Sequence, residues 1–122
     1  YVTKATVKHG VSTRINGGYE VGEPRIDPET VSTEAPNVFK RLGSNSYVLM
    51  YDVYGARPNN MGFSETTDFI TYRNLGHFNE GVMKGANFVR PKHGAVTYLT
   101  QAELNVIAAY WKVDLAKLPL PK

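Results

Sequence analysis

Two short segments of the chain pair a lysine with a histidine, residue types suited to acid–base chemistry near neutral pH. The hexapeptides 8–13 (Lys-His-Gly-Val-Ser-Thr) and 92–97 (Lys-His-Gly-Ala-Val-Thr) agree at four of six positions. Two imidazoles can act as general acid and general base, while lysines stabilise negative charge. If the chain is an enzyme, its catalytic candidates are His9, His93, Lys8 and Lys92. We favour the alternative, a polar turn sequence that occurs twice, because no longer repeat accompanies it.

A histidine and a glutamate three residues apart, His77 and Glu80, have a spacing that metal ligands use on helices. Three glycines between positions 76 and 85 disfavour a continuous helix here. We therefore interpret His77 as a solvated loop residue and predict neither a metal site nor a cofactor. Asp52 interrupts an apolar segment, and buried carboxylates are usually paired, so a structural hydrogen bond or ion pair is expected over a catalytic role.

Composition indicates one ordinary domain with a mild basic excess. The 122 residues carry a formal charge of +3 and include no cysteine, which excludes disulfides, thiol nucleophiles and thiolate metal sites. The lysines and arginines are scattered along the sequence, so this charge is compatible with nucleic-acid binding but does not by itself indicate it. No segment has the pattern of a signal peptide or of a membrane span, so we expect a soluble protein with no membrane partner; the sequence does not indicate its compartment.

The first third of the chain alternates extended segments with turn residues. Strands are predicted at 1–8, 11–15 and 19–22. Asn16-Gly17 is the best hairpin signal, because both residues tolerate the positive φ that a type I′ turn requires. Prolines at positions 24 and 28 then predict an irregular surface loop that continues to Thr33.

The middle of the chain combines two predicted helices with one predicted central strand. Pro36 suits the first position of a short helix that ends at Gly43. Residues 47–54 are apolar on both alternating faces apart from Asp52, which is typical of a buried central strand. The segment 55–62 has the composition of an exposed loop, a place where binding groups are common. The segment 64–75 mixes helix and strand signals, and we interpret it as a helix.

The C-terminal segment has the clearest local signals. Thr100 is a good N-cap and Glu103 completes a capping box, so a helix is predicted to begin at Gln101. Leu104, Ile107 and Trp111 share one face, which predicts docking against a sheet with Trp111 as a core anchor.

Flanking elements complete the C-terminal prediction. Two strands, 82–90 and 95–99, are expected before the helix, joined by a hairpin connection at 90–94. Asp114 is expected to cap a second short helical turn after it, which the prolines at positions 119 and 121 end.

These elements predict a single α+β domain over residues 1–122, a mostly antiparallel sheet with a C-terminal amphipathic helix packed on one face. The expected function is a non-enzymatic module, for example a processed viral or accessory protein, that binds a protein partner through loops 55–62 and 90–94. Its candidate binding residues are Arg57, Asn59, Asn60, Arg90, Lys92 and His93. Two alternatives remain open: a histidine-dependent phosphodiesterase or ribonuclease, and a nucleic-acid-binding domain. The second would use Lys8, Arg57, Arg73, Arg90 and Lys92.

Overall fold

The computed structural model of the chain describes residues 5–22, 24–55, 59–80 and 92–117. In this part the fold is α+β, with a four-stranded antiparallel sheet, a two-stranded antiparallel ribbon and one C-terminal α-helix. In chain order the elements are β1 (Gly10–Val11), β2 (Glu20–Val21), β3 (Glu34–Lys40), β4 (Tyr47–Val53), β5 (Asn60–Thr66), β6 (Arg73–His77) and α1 (Gln101–Trp111). The large sheet is a meander of β3, β4, β5 and β6, in which neighbours along the chain are neighbours in the sheet.

Strand β4 is the buried centre of the large sheet, which confirms the prediction of a central strand. Six of its seven residues are buried, and the five apolar ones alternate between two separate apolar clusters. Val48 and Met50 point to one side, which we call the Met50 face. Leu49, Tyr51 and Val53 point to the other side, which we call the Tyr51 face. Because both faces are covered, each large apolar side chain of β4 contributes about 1.5 to 3 kcal/mol.

The Tyr51 face is covered by residues 5–9 and by the loop 24–33. Val7 and, in part, Ile26 pack into the cluster of this face. The amide of Ile26 donates to the carbonyl of Val7 at 3.0 Å, and the amide of Thr33 donates to the carbonyl of Ala5 at 3.0 Å. The predicted loop is therefore irregular, as expected, but hydrogen-bonded to the N-terminal segment. The predicted strand 1–8 does not form over residues 5–8, where Ala5 and Val7 form hydrogen bonds with this loop.

Asp27 joins the N-terminal segment to the loop. Its carboxylate, which is buried, accepts hydrogen bonds from the Val7 amide at 3.1 Å, the Thr33 hydroxyl at 3.0 Å and the Glu29 amide at 3.1 Å. Arg25 forms an ion pair with the same carboxylate. These four hydrogen-bond donors compensate the negative charge of the buried Asp27 carboxylate for its loss of water.

The N-terminal hairpin forms where it is predicted, with its turn one residue earlier. Strands β1 and β2 pair antiparallel, and a bridge between Arg14 and Gly17 leaves Ile15 and Asn16 as the central turn residues. Neither central residue has a positive φ, whereas Gly18 does, at 69°. A type I′ turn would force β-branched Ile15 into the left-handed region, so the expected turn type is wrong.

The predicted helix from Pro36 to Gly43 is wrong, because these residues form β3 and the turn that follows it. Residues 37–40 pair in register with β4. Pro36 lies at a β-bulge, one of the few sheet positions where its missing N–H is tolerated, and Ala35 before it has a φ of 48°. Gly43 does adopt the expected left-handed conformation, with a φ of 68°, in the β3–β4 turn.

The predicted helix over 64–75 is also wrong, because this segment completes β5 and begins β6. Asp68 holds the turn between the two strands, accepting from the amides of Ile70 and Thr71 at 2.8 Å each. These hydrogen bonds hold the pKa of Asp68 well below its usual range. The strand preference of the threonines and the pairing with β4 override the helical signals.

Helix α1 begins as predicted, with Thr100 as N-cap and a complete capping box to Glu103. It ends at Trp111, where Lys112 turns left-handed, and Asp114 then caps a short 3-10 turn over Leu115–Lys117. The interpretation of Ile107 and Trp111 as docking residues, with Trp111 as a core anchor, is wrong, because both side chains are exposed, Trp111 by 70%.

Segments outside the strands cover part of the Met50 face. Phe78 and residues 92–96 lie over the Met50 face, with the Val96 amide donating to Oδ1 of Asn37 at 3.1 Å. The predicted strand 95–99 is therefore an irregular segment across the sheet. The other predicted strand, 82–90, lies outside the described residues.

Glu65 links three parts of the large sheet and is expected to make its stability sensitive to acid. It pairs with Arg73 and with Arg41, and accepts from the Ser46 hydroxyl at 2.7 Å. These contacts, that with Arg73 foremost, lower the pKa of Glu65 from 4.5 to about 2. A lowered folded-state pKa stabilises the fold above pH 4.5, and this contribution disappears as the pH falls toward 2.

We therefore expect Glu65→Gln to lower the melting temperature at pH 7 and to leave it unchanged at pH 2. Thermal melts of both proteins across this range measure the difference. Glu20→Gln removes one negative charge from an exposed position on β2 and is the matched control. A constant offset between parent and Glu65→Gln at every pH would contradict the prediction.

Candidate functional site

Two carboxylates face each other across neighbouring strands at one end of the large sheet. The register places Glu34 of β3 directly opposite Asp52 of β4, so both side chains lie on the Met50 face. The β-bulge between Glu34 and Asn37 produces this alignment by adding one residue to β3. Like charges directly opposite on adjacent strands repel each other, so the arrangement requires a positive charge nearby.

His93 lies between the two carboxylates. Its Nε2 atom is 3.1 Å from Oε1 of Glu34 and 3.4 Å from Oδ2 of Asp52. The segment 92–96 brings it there by crossing the Met50 face, and His93 itself has a φ of 51°. Left-handed backbone is unusual outside glycine but is enriched in histidine. We call Glu34, Asp52 and His93 the β3–β4 cluster.

Asp52 is the least satisfied member of the β3–β4 cluster. It is completely buried, and neither of its carboxylate oxygens has a hydrogen-bond partner among the described residues. Nε2 of His93 can carry only one N–H, and Glu34 is the nearer of its two possible acceptors. A buried unsatisfied polar group costs about 1 to 3 kcal/mol, and a charged one costs more. The sequence predicts either an ion pair or a structural hydrogen bond for Asp52. The ion-pair partner is His93. A structural hydrogen bond to Asp52 is absent from the described part.

A second cluster lies on the Tyr51 face. Glu29 accepts from the Tyr51 hydroxyl at 3.2 Å and lies 2.9 Å from Nε2 of His77. The other ring nitrogen of His77 is 3.3 Å from Glu80. Burial raises the pKa of Tyr51 well above its usual range. Both ring nitrogens of His77 therefore already have a carboxylate within hydrogen-bond distance.

The spacing of His77 and Glu80 therefore does reflect a contact, at the end of β6 instead of on a helix. Glu29 was missed by the sequence analysis, because nothing in an irregular loop indicates which strand it will approach.

The two catalytic candidates His9 and His93 lie at opposite ends of β4. The His9 ring is 5.9 Å from that of Phe69, which is 4.6 Å from that of Tyr47, the first residue of β4. His93 contacts Asp52, five residues further along the strand and on the other face. At about 3.3 Å per residue, about 17 Å of strand separates these two ends. This geometry does not favour acid–base catalysis by the pair.

The candidate binding residues lie mostly near the β3–β4 cluster. Asn60 begins β5 opposite Val53, and Asn59 precedes it in an exposed position. Lys92 and His93 are exposed at the same end of the sheet. Arg57 and Arg90 lie outside the described residues. Residues 60–62 of the predicted loop 55–62 belong to β5, and Met61 and Gly62 are buried, so this part of the loop prediction is wrong. The segment 92–94 passes beside this strand, since a Cβ atom at Gly94 would lie 3.7 Å from Cε of Met61.

Helix α1 presents a second kind of surface. Four large apolar side chains of this helix are exposed, on positions that adjoin around the helix: Val106, Ile107, Tyr110 and Trp111. We call them the α1 apolar face. The rings of Tyr110 and Trp111 meet edge to face, with centroids 5.1 Å apart. Of the residues of α1, only Ala108 is buried.

Comparison with family models, curated proteins and solved structures found no match. The function of the chain must therefore be argued from its own surfaces. No helix in the described part combines the length and apolar composition needed to cross a bilayer. Of the residues considered for nucleic-acid binding, Arg73 is engaged by Glu65. Lys8 and Lys92 lie within the described part, whereas Arg57 and Arg90 fall outside it.

Proposed function

We propose that the protein is a non-enzymatic interaction module that binds a protein partner through the α1 apolar face. The observation that supports this is the exposure of Val106, Tyr110 and Trp111, at 70%, 77% and 70%. A helix that is apolar around most of its circumference is normally buried on several sides. In the described part of this chain, Ala108 is the only buried residue of α1. Tyrosine and tryptophan are also the residues that most often dominate the binding energy of interfaces.

The chemistry of α1 indicates what kind of surface would cover it. Helices that lie on membranes carry lysine and arginine along their polar side. Residues 101–111 include no basic residue, and their only charged residue, Glu103, is engaged in the capping box. An apolar groove on another protein, which receives a short helix through side chains one turn apart, fits these properties better.

The size of the surface indicates that α1 does not act alone. Two fully buried aromatic side chains contribute about 300 to 500 Å² together. A standard interface buries about 800 Å² on each partner. The segment that leads into α1 has three more exposed apolar residues, Val96, Tyr98 and Leu99, which can supply part of the difference. In the predicted binding segments 55–62 and 90–94, the described residues outside β5 are more polar, and their participation stays a separate prediction.

The proposal is tested by photo-crosslinking from the helix. A photoreactive phenylalanine analogue replaces Tyr110, and the protein is exposed to an extract of its source. We expect an adduct of defined mass that disappears when Val106→Asp is introduced, because a carboxylate would be buried in the apolar groove. Both variants should keep the parent's free energy of unfolding within about 0.5 kcal/mol, since these side chains are exposed.

The matched control is Asn105→Asp, which adds the same charged side chain on the opposite side of α1. Asn105 accepts a hydrogen bond from Gln101 at 2.8 Å, and aspartate can accept the same bond. This control should leave the adduct intact. An adduct equally sensitive to both substitutions, or one formed equally from position 13 in the N-terminal hairpin, would refute the proposal. Sedimentation of the purified protein shows whether the partner is a second copy of the chain.

A further inference from the structure

We propose that the β3–β4 cluster is a binding site for a divalent transition-metal ion of the zinc class, with Glu34, Asp52 and His93 as ligands. Each of these residues offers one ligand atom, and the three atoms lie within 4.8 Å of one another. The inference replaces the expectation from the sequence that the chain has no metal site. It is independent of the proposed binding function of α1, which lies on other residues.

The first support is the spacing of the ligand atoms. Zinc binds imidazole nitrogen and carboxylate oxygen at about 2.0 to 2.2 Å, and tetrahedral geometry then separates neighbouring ligand atoms by about 3.4 Å. The observed separations from Nε2 of His93 are 3.1 Å to Glu34 and 3.4 Å to Asp52. These distances admit the ion with small side-chain movements, while the strands stay in place.

The second support is the buried carboxylate of Asp52. Both of its oxygens lack a hydrogen-bond partner among the described residues, although the residue is completely buried. The one proton on Nε2 of His93 cannot satisfy Glu34 and Asp52 together. A divalent cation contacts both carboxylates and accepts the lone pair of the imidazole at the same time, so it resolves the mismatch that the protein atoms leave.

The ligand set also indicates the class of ion and its surroundings. One imidazole with two carboxylates suits zinc and neighbouring transition metals, whereas magnesium and calcium prefer oxygen alone. The buried Asp52 forms the inner side of the site, while the side chains of His93 and Glu34 are 52% and 42% exposed. The ion can therefore enter from solvent, and a position on its outer side remains open to water, as in zinc sites with three protein ligands.

The test uses Zn²⁺ alone as the probe, titrated into metal-free protein in competition with a chromophoric chelator. We expect one strongly bound ion per chain and a rise in melting temperature with Zn²⁺. Binding should weaken by about tenfold or more in His93→Gln and in Glu34→Gln. The matched control is His77→Gln, which removes an imidazole that also lies between two carboxylates. It should leave binding unchanged.

Two further measurements keep the test decisive. Circular dichroism shows whether each variant is folded. If His93→Gln does not fold, the Zn²⁺ affinity of Glu34→Gln is the deciding measurement, because Glu34 is partly exposed and its replacement perturbs the fold less. Co²⁺ in place of Zn²⁺ should show the visible absorption of a four-coordinate ion, and Glu34→Gln should abolish it. Absence of Zn²⁺ binding would show that the cluster is only an ion pair. Binding that the substitutions at His93 and Glu34 do not weaken would place the ion elsewhere. Either result overturns the proposal.

Discussion

Replacing Asp27 with alanine is expected to lower the free energy of unfolding by about 3 to 5 kcal/mol. The substitution leaves the guanidinium of Arg25 without its carboxylate and removes the acceptor of the Val7 amide and the Thr33 hydroxyl. An unpaired buried donor loses its hydration without replacement, so the penalty exceeds the value of the hydrogen bonds themselves. Urea denaturation of the two proteins measures the difference.

The position of Asp27 makes a local consequence testable. The amide of Val7 should lose its protection from hydrogen exchange in Asp27→Ala more than amides of the β4–β5 ladder do, because this amide donates directly to the missing carboxylate. Asp114→Ala is the matched control, since Asp114 is exposed and caps only the short turn after α1. A loss in Asp27→Ala no greater than in Asp114→Ala would show that the loop and the N-terminal segment are not held by this carboxylate.

Sequence reasoning succeeded where the physical cause is local. The N-cap of α1 depends on residues three positions apart, Thr100 and Glu103, and the predicted start of the helix is confirmed. Strand β4 was recognisable because both of its alternating faces are apolar, a pattern that a half-exposed strand does not show. The N-terminal hairpin likewise followed from Asn16-Gly17, although the turn itself lies one residue earlier.

The same reasoning failed where the cause is tertiary. An apolar stripe predicts that one side of α1 packs against other residues, but it does not identify the segment or the protein that supplies them. Val7 and the segment 92–96 contribute to the cover of the sheet faces, whereas Trp111 is exposed. The helix expected over 36–43 failed for a related reason, because pairing with β4 and a bulge at Ala35 accommodate Pro36 in a strand.

The β3–β4 cluster was visible in the sequence only through its separate parts. Asp52 stood out as a carboxylate in an apolar strand, and His93 as part of the lysine–histidine segment. Their meeting depends on the sheet register at Glu34 and on a contact between His93 and Glu34 that spans 59 residues of sequence. Local propensities and spacing carry no information about either.

Replacing Gly62 with alanine is expected to destabilise the fold by about 1 to 3 kcal/mol, the second large effect. Gly62 of β5 is the cross-strand neighbour of Tyr51, whose ring lies over the glycine. A Cβ atom at Gly62 would fall 2.3 Å from Cε2 and 2.5 Å from Cζ of that ring. Tyr51 is completely buried and its hydroxyl donates to Glu29, so the ring cannot move aside without losing both its packing and this bond.

The matched control and a double-mutant cycle separate this clash from a general effect of removing glycine. Gly17→Ala places the same methyl group where no atom lies within 4 Å, and it should change stability by less than about 0.5 kcal/mol. Tyr51→Leu removes the clashing ring atoms but leaves a cavity, which costs about 2 to 5 kcal/mol. Adding Gly62→Ala to Tyr51→Leu should then cost clearly less than in the parent, because the methyl group occupies part of that cavity. Additive losses in urea denaturation would mean that the tyrosine ring is not what requires glycine at position 62.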